Sequence, residues 1–464
     1  MATSIRAAAE RIVVFSLAAV FIAQQITHLE LLLYPLGGLA FLAIALSLPR
    51  LKGIAKWLAT GFMGGGVLLM LLQKADVRLW FESAAINATL VTLFVFAPLF
   101  GIPVRLPAYV ASLRRFYERS VRSKTVMFTG TQLLTQIMGA FINVGSISVV
   151  YHLAFVKPHS GGVARLLASA MNRGFGGAIM WSPYFAAMAL VTSALSLGWS
   201  SILPYVLGLS LISVAASVLV NLRELGREEQ RDEVSAEPVS AEHAGTSESH
   251  TRAPFPPGLA AYLILAIASV LLLENLVELP MVLITCIGAV LIPLLWCWAK
   301  GSMATYRQGI GNHVSVTLPA LQKEITLFLA AGFFSGSIRS TGFGTYIPEL
   351  LEKLPVPIWL AFSIMTILLI MLTSWVGLHP IVPVTILATG IDPASVGISS
   401  VYFAVLLLGS WGSSNPISPA SAVNHLLAGL QNKTVIEMAR PNYAYAFWMA
   451  SALVLYLALW RVLI

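Results

Sequence analysis

From Arg11 to Ile26 the chain is apolar. It is apolar again over 29–48, 54–73, 83–104, 124–155, 161–195, 198–221, 258–273, 277–299, 324–345, 356–389, 397–429 and 443–463. A helix needs about 20 mostly apolar residues to cross a bilayer, and nearly every run reaches or approaches that length. Such a series cannot be buried in a water-soluble core and calls for lipid. Composition agrees: 58% of the 464 residues are hydrophobic and 10% charged, against about 25% charged in a soluble domain. The expected fold class is an all-α polytopic membrane protein.

The net charge of +8 then reads as basic cytoplasmic loops rather than as a nucleic-acid footprint. Cys286 and Cys297 share one apolar segment, which implies neither a disulfide framework nor a zinc site. The first run follows Arg6 as a signal peptide would, yet no soluble region and no small-residue cleavage site come after it. It is read as a first span with a cytoplasmic N-terminus.

Two runs, 124–155 and 356–389, are too long for one span and are expected to be re-entrant hairpins, which leaves about eleven transmembrane helices. This topology puts most of the 28 Lys and Arg on the cytoplasmic side. The expected units are scaffold helices over 1–104, an amphipathic arm on the cytoplasmic leaflet over 105–123, a first hairpin and broken helix over 124–195, and a scaffold helix over 196–221. A disordered cytoplasmic linker over 222–257 follows, rich in Glu, Ser and Pro and without apolar period. Scaffold helices and a loop over 258–323, a second hairpin and broken helix over 324–430, and a C-terminal helix over 431–464 complete the chain. Gly61–Gly66 (GFMGGG) has no polar company and is read as a close-packing surface.

The halves repeat each other. FINVGSIS (141–148) and SWVGLHPIVP (374–383) each hold a Val-Gly pair inside a hairpin, 232 residues apart. After each comes a Gly-rich stretch, NRGFGGAIMWSP (172–183) and GSWGSSNPISP (409–419), in which Gly176 precedes Ser182-Pro183 as Gly412 precedes Ser418-Pro419, 236 residues on. Inside a bilayer an unpaired backbone group costs several kcal/mol, so broken helix survives only where protein or a wet cavity receives it. Half-helix N-termini favour an anion there, and freed carbonyls a cation.

On these residues the chain resembles the ion transporter superfamily, which includes divalent-anion:sodium symporters, arsenite permeases and the large membrane subunits of TRAP transporters. FINVGS sits where the symporters carry a Ser-Asn-Thr tip, and NRGFGGAIMWSP resembles their break ending in Thr-Pro-Pro-Asn. TGIDPASVGI (389–398) and GSWGSSNPISP are similar to elements of the TRAP subunits. The resemblance implies an inverted repeat and an elevator mechanism: a scaffold dimer, and a transport domain that carries both hairpins and slides with its substrate. Neither hairpin keeps Ser-Asn-Thr, however, so sodium coupling and a dicarboxylate are not carried over.

The candidate substrate-binding residues are Asn143, Gly145, Ser146, Asn172, Arg173, Ser182, His379, Ser414, Asn415 and Ser418. Arg173 is the expected anion anchor, because a guanidinium grips a carboxylate in bidentate fashion; the alternative is that it snorkels to the interface. His379 is either a carrier of the coupling proton or a neutral hydrogen-bonding group. Asn143, Ser413 and Asn415 form a candidate Na⁺ site, with helix capping as the competing account. Trp181 and Trp411 are possible site walls, and His425 is read as packing. No cofactor is expected, and no P-loop, HExxH, CxxC or GxSxG motif occurs. The expected function is a secondary active transporter of a small organic anion coupled to Na⁺ or H⁺, in the lipid bilayer, as a homodimer and without nucleic acid. The alternatives are a membrane subunit that needs a solute-binding protein and a membrane-embedded enzyme.

Overall fold

A computed structural model describes residues 2–120, 123–235 and 255–463. All of its regular structure is helical. Three apolar helices come first, α1 (Ala2–Thr27), α2 (Leu33–Ser47) and α3 (Gly53–Leu72). The next traverse is in pieces: α4 (Val77–Ala85), α5 (Ala88–Phe96) and the 3-10 turns Ala97–Gly101 and Pro103–Arg105. Asp76 caps α4 by accepting from the Leu79 amide at 2.8 Å. The arm is α6 (Pro107–Ser120). Its apolar face lies on protein: Leu113 and Tyr117 are buried, and the Tyr117 hydroxyl bonds Thr131 Oγ1 at 2.7 Å.

The first hairpin is α7 (Lys124–Ile142) and α8 (Gly145–Ala154), and the first broken helix is α9 (Gly161–Trp181) and α10 (Ala186–Ala194). Then come α11 (Trp199–Ser235), α12 (Pro257–Leu276), α13 (Met281–Ala299) and α14 (Met303–Asn312). A π turn (His313–Thr317) and the short α15 (Leu318–Ala320) lead into α16 (Gln322–Arg339), and the chain bends by 57° at that junction. After α17 (Tyr346–Leu351), the second hairpin is α18 (Ile358–Val376) and α19 (Ile381–Gly390). The second broken helix is α20 (Ser400–Ser414), a 3-10 turn (Asn415–Ile417) and α21 (Ala422–Gln431). The chain closes with α22 (Val435–Ala439) and α23 (Tyr443–Leu463). Among the described residues ten helical stretches are long and apolar enough to cross a membrane, or eleven with the bent pair. The all-helical polytopic class is therefore as expected.

Burial ranks these helices. The apolar stretch of Gly161–Ala194 is wholly inside the protein, whereas a third or less of α1 to α3 is buried. The broken helix is thus the core, and the N-terminal helices are its lipid-facing jacket. α11 and α23 run antiparallel beside it, since Ser213 bonds the Tyr445 hydroxyl at 2.8 Å while Tyr205 stacks on Trp460 at 4.2 Å.

This pair fixes the two sides of the protein. Both ends of the first hairpin lie near the C-terminal end of α11: the Lys124 amide donates to Glu229, and Ser160, just past α8, donates to Glu228. The second hairpin opens at the other side, where Arg461 near the end of α23 reaches the Gly397 carbonyl and the Trp359 ring. The side holding the end of α11 is called the near side below.

One boundary and the grouping of helices differ from expectation. The linker does not begin at 222, because α11 continues to Ser235 and its acidic face is used: Glu224 pairs with Arg165, and Glu228 with Ser160 and Arg231. The expected linker residues 236–254 lie outside the described residues. The grouping of helices also shifts. α11 packs mainly on α7, α9, α20 and α23 and less on α12, whereas α16 packs on α2, α3 and α4 as well as on α19. Gly65 and Gly66 of the glycine cluster receive Phe334 and Phe333 of α16, and nothing lies within 4 Å of a Cβ on Gly61 or Gly64.

Candidate functional site

The two broken helices cross at the glycines that the repeat pairs. A Cβ on Gly176 would stand 2.4 Å from the Gly412 carbonyl oxygen, and one on Gly412 would stand 2.5 Å from that of Gly176. Each backbone occupies the space the other's side chain would need, so only glycine fits at either place. Beyond the crossing the helices break. In the first break Ser182 donates to the Ala140 carbonyl of the first hairpin at 2.9 Å, and the Trp199 indole closes on the Trp181 carbonyl at 2.9 Å. In the second, Asn424 donates to the Pro416 and Ser418 carbonyls at 3.0 and 2.9 Å and accepts from Asn172 at 2.5 Å. Asn172 and Asn424 thus satisfy backbone that the break leaves open.

Both hairpin tips require unusual backbone. Asn143 has φ +54° and turns its own carboxamide onto the Val144 amide, while its carbonyl accepts from the Ser146 amide and hydroxyl. Gly377 has φ +98°. Ser374, just before the second tip, donates to Ser414 at 3.2 Å, which donates to the Trp411 carbonyl at 3.0 Å. His379 lies between the Phe328 ring (5.2 Å) and the Trp411 ring (5.8 Å).

The tips meet a common wall. Phe328 of α16 packs on Phe94 of α5 at 5.5 Å, and its carbonyl accepts from Asn87 at 2.7 Å. Phe94 also lines a small cavity with Asn143 and Tyr184. Asn87 in turn lines a larger cavity, about 590 Å³, between this wall and the far-side ends of α10 and α19, where Thr89, Ser193, Arg339 and Asp392 also face it.

The structure therefore gathers Asn143, Gly145, Ser146 and Ser182 at the first tip and break, and Ser374, His379, Ser413, Ser414, Asn415 and Ser418 at the second. The Ser413 hydroxyl and the Asn415 amide nitrogen are buried without partners. Asn143 stands at the first tip, and Ser413 and Asn415 at the second break. Ser418 and Asn172 are inside the second break, engaged with backbone and Asn424.

The guanidinium of Arg173, the expected anion anchor, is taken up by protein groups. Arg173 is fully buried, and its guanidinium donates to Asn442 Oδ1 (2.9 Å), Asn221 Oδ1 (2.6 Å), Ser217 Oγ (3.1 Å) and the Pro441 carbonyl (3.1 Å), with the Tyr445 ring 4.8 Å away. It does not snorkel, and each of its three nitrogens already donates to the protein. It is a brace tying α9 to α11 and to the start of α23.

Sequence reasoning missed the groups that the wall contributes. Lys323, in the first turn of α16, lies within electrostatic range of His379 and His425. Glu324 follows it, with Oε2 buried and unpartnered, one helical turn from Phe328 and hence on the same face. Their only signal was a Lys-Glu pair at the mouth of an apolar run, which reads as an ordinary helix start.

No family model matches the chain, and no curated protein matches it. Among solved structures it is similar to the Alcanivorax borkumensis YdaH transporter, whose crystal structure is described as having an unusual topology. The TM-score is 0.53 at 15% identity, over 88% of this chain and 98% of that one. The likeness is one of fold, and it spans almost the whole of both chains.

Proposed function

We propose that this protein is a secondary active transporter that moves a small organic anion across the membrane, driven by Na⁺ or H⁺. The observation that carries the reading is the reciprocal crossing at Gly176 and Gly412 of two helices that both break within the protein, flanked by hairpins that open to opposite sides. An inverted repeat accounts for that arrangement, and such repeats bind solute where their broken segments meet. The likeness to a transporter fold supports it.

In this reading α7 to α11 and α18 to α23 form the module that carries the solute, and α1 to α5 with α16 form the wall it moves along. The serine hydroxyls around Ser374, Ser413 and Ser414 with the Trp411 carbonyl suit a Na⁺ ion, and His379 or Glu324 suits a proton. The reading includes a cytoplasmic N-terminus, as the distribution of basic residues along the sequence suggests, and the scaffold dimer implied by the family resemblance.

The test is uptake into proteoliposomes of a panel of labelled organic anions, each under a Na⁺ gradient, a pH gradient and no gradient. Concentrative uptake of one class under one gradient is expected. Equal accumulation with and without either gradient, for every anion, would sink the reading.

A further inference from the structure

The first hairpin tip has a cation beside it that nothing among the described residues neutralises. Arg105 ends the 3-10 turn Pro103–Arg105; Val104 and Leu106 on either side are buried, whereas Arg105 itself is exposed. Its Nη2 lies 3.1 Å from where a Cβ on Gly145 would stand, so the guanidinium rests on the first residue of α8. Ile142 Cγ2 borders the same space at 2.9 Å, so a side chain on Gly145 would meet both groups. Where Arg173 is held by four protein residues, Arg105 has no hydrogen bond or ion pair to a described residue.

Three further features meet at this tip. The start of α8 adds its own partial positive charge, of order half an elementary charge. The Tyr184 hydroxyl is buried without a partner and lines, with Asn143 of the same tip, a cavity of about 20 Å³ against α5 whose walls do not include Arg105, room for one water-sized group. The segment carrying Arg105 is held from behind, where His313 in the π turn bonds the Val95 carbonyl at 2.8 Å and Ile102 fills the space over Gly309. A guanidinium and a helix start that raise the potential at one place, with no carboxylate among the described residues paired to the guanidinium, concentrate anions there.

We propose that Arg105, rather than Arg173, binds the charged end of the transported solute, a carboxylate held in bidentate fashion at the tip of the first hairpin. This rests on the transport reading above and assigns its charge recognition to the wall. The planar fork of arginine matches a carboxylate in a way that a lysine ammonium does not.

The experiment uses the full-length protein with acetate, succinate, benzoate and methanesulfonate as probes, comparing wild type with Arg105→Gln and Arg105→Lys. Thermal unfolding in detergent reads binding, and proteoliposome uptake reads KM and kcat. Without ligand, Arg105→Gln should unfold at the wild-type temperature, because no bond within the protein is lost. The carboxylate-induced shift should vanish and KM should rise about 10- to 100-fold, as for loss of a charged hydrogen-bonding partner, with Arg105→Lys in between. Carboxylate uptake that keeps its KM in Arg105→Gln overturns the assignment and leaves the transport reading standing. A carboxylate shift lost in Arg105→Gln, without uptake by any variant, supports the site and overturns transport. Wild type that neither shifts with nor takes up any carboxylate overturns both.

Discussion

Arg173 and Arg105 show how little a residue's type says about its task. Both are arginines beside glycines, and the one that stands out in the sequence has its guanidinium taken up by protein acceptors. Burying a guanidinium is tolerable only when its donors are satisfied, and Arg173 meets that condition with residues 217, 221, 441 and 442. None of these partners can be inferred from local pattern, since each is more than forty positions away. Arg173→Ala should destabilise the protein by about 2–4 kcal/mol, because it leaves several buried acceptors unpaired, while KM for a transported solute stays unchanged in the protein that folds. Chemical unfolding in detergent together with uptake kinetics checks both parts; a large KM change with intact stability would return Arg173 to the site.

Among the elements, the glycine-rich segments separate by what touches them. Gly176→Ala drives a methyl group into the backbone oxygen of Gly412, which cannot swing aside as a side chain can. The expected cost is about 1–3 kcal/mol, as for overpacking elsewhere. At Gly61 a Cβ meets nothing within 4 Å, so Gly61→Ala should be neutral or stabilise α3 by up to about 1 kcal/mol. Thermal unfolding of the two variants side by side tests this, and equal behaviour would contradict the crossing geometry. The breaks themselves were legible, because Gly, Pro and Asn inside apolar runs have few other uses. The length of α11 was not. Its acidic, Ser-containing tail has the composition of a linker, and it is helical because Glu224, Glu228 and Glu229 find partners on α9 and at the ends of the first hairpin.

At the scale of the molecule, the wall of α5 and α16 touches both hairpin tips without belonging to either repeat element. If the hairpins travel, α19 must slide along α16, and these two helices touch through the Ser335 and Thr389 hydroxyls, 2.7 Å apart. A Ser335→Cys, Thr389→Cys pair should therefore cross-link on oxidation and stop uptake, with activity restored by reductant. The native Cys286 and Cys297 are buried, so they do not confuse the assay. Uptake that survives quantitative cross-linking would mean that α16 and the second hairpin move as one body, and the division into wall and carrier would have to be redrawn.

The sequence alone determined the membrane, the helical class and the places where helices break. These follow from one-dimensional facts: the length of apolar runs, and the cost of unpaired backbone in lipid. Tertiary structure decided which side chains face the site. Whether a cation is a brace or an anchor depends on which acceptors surround it, and those come from segments far apart in the chain. Gly145 makes the point: the sequence singles it out at a hairpin tip, but only the folded chain shows that the space it leaves is shared between Ile142 and Arg105.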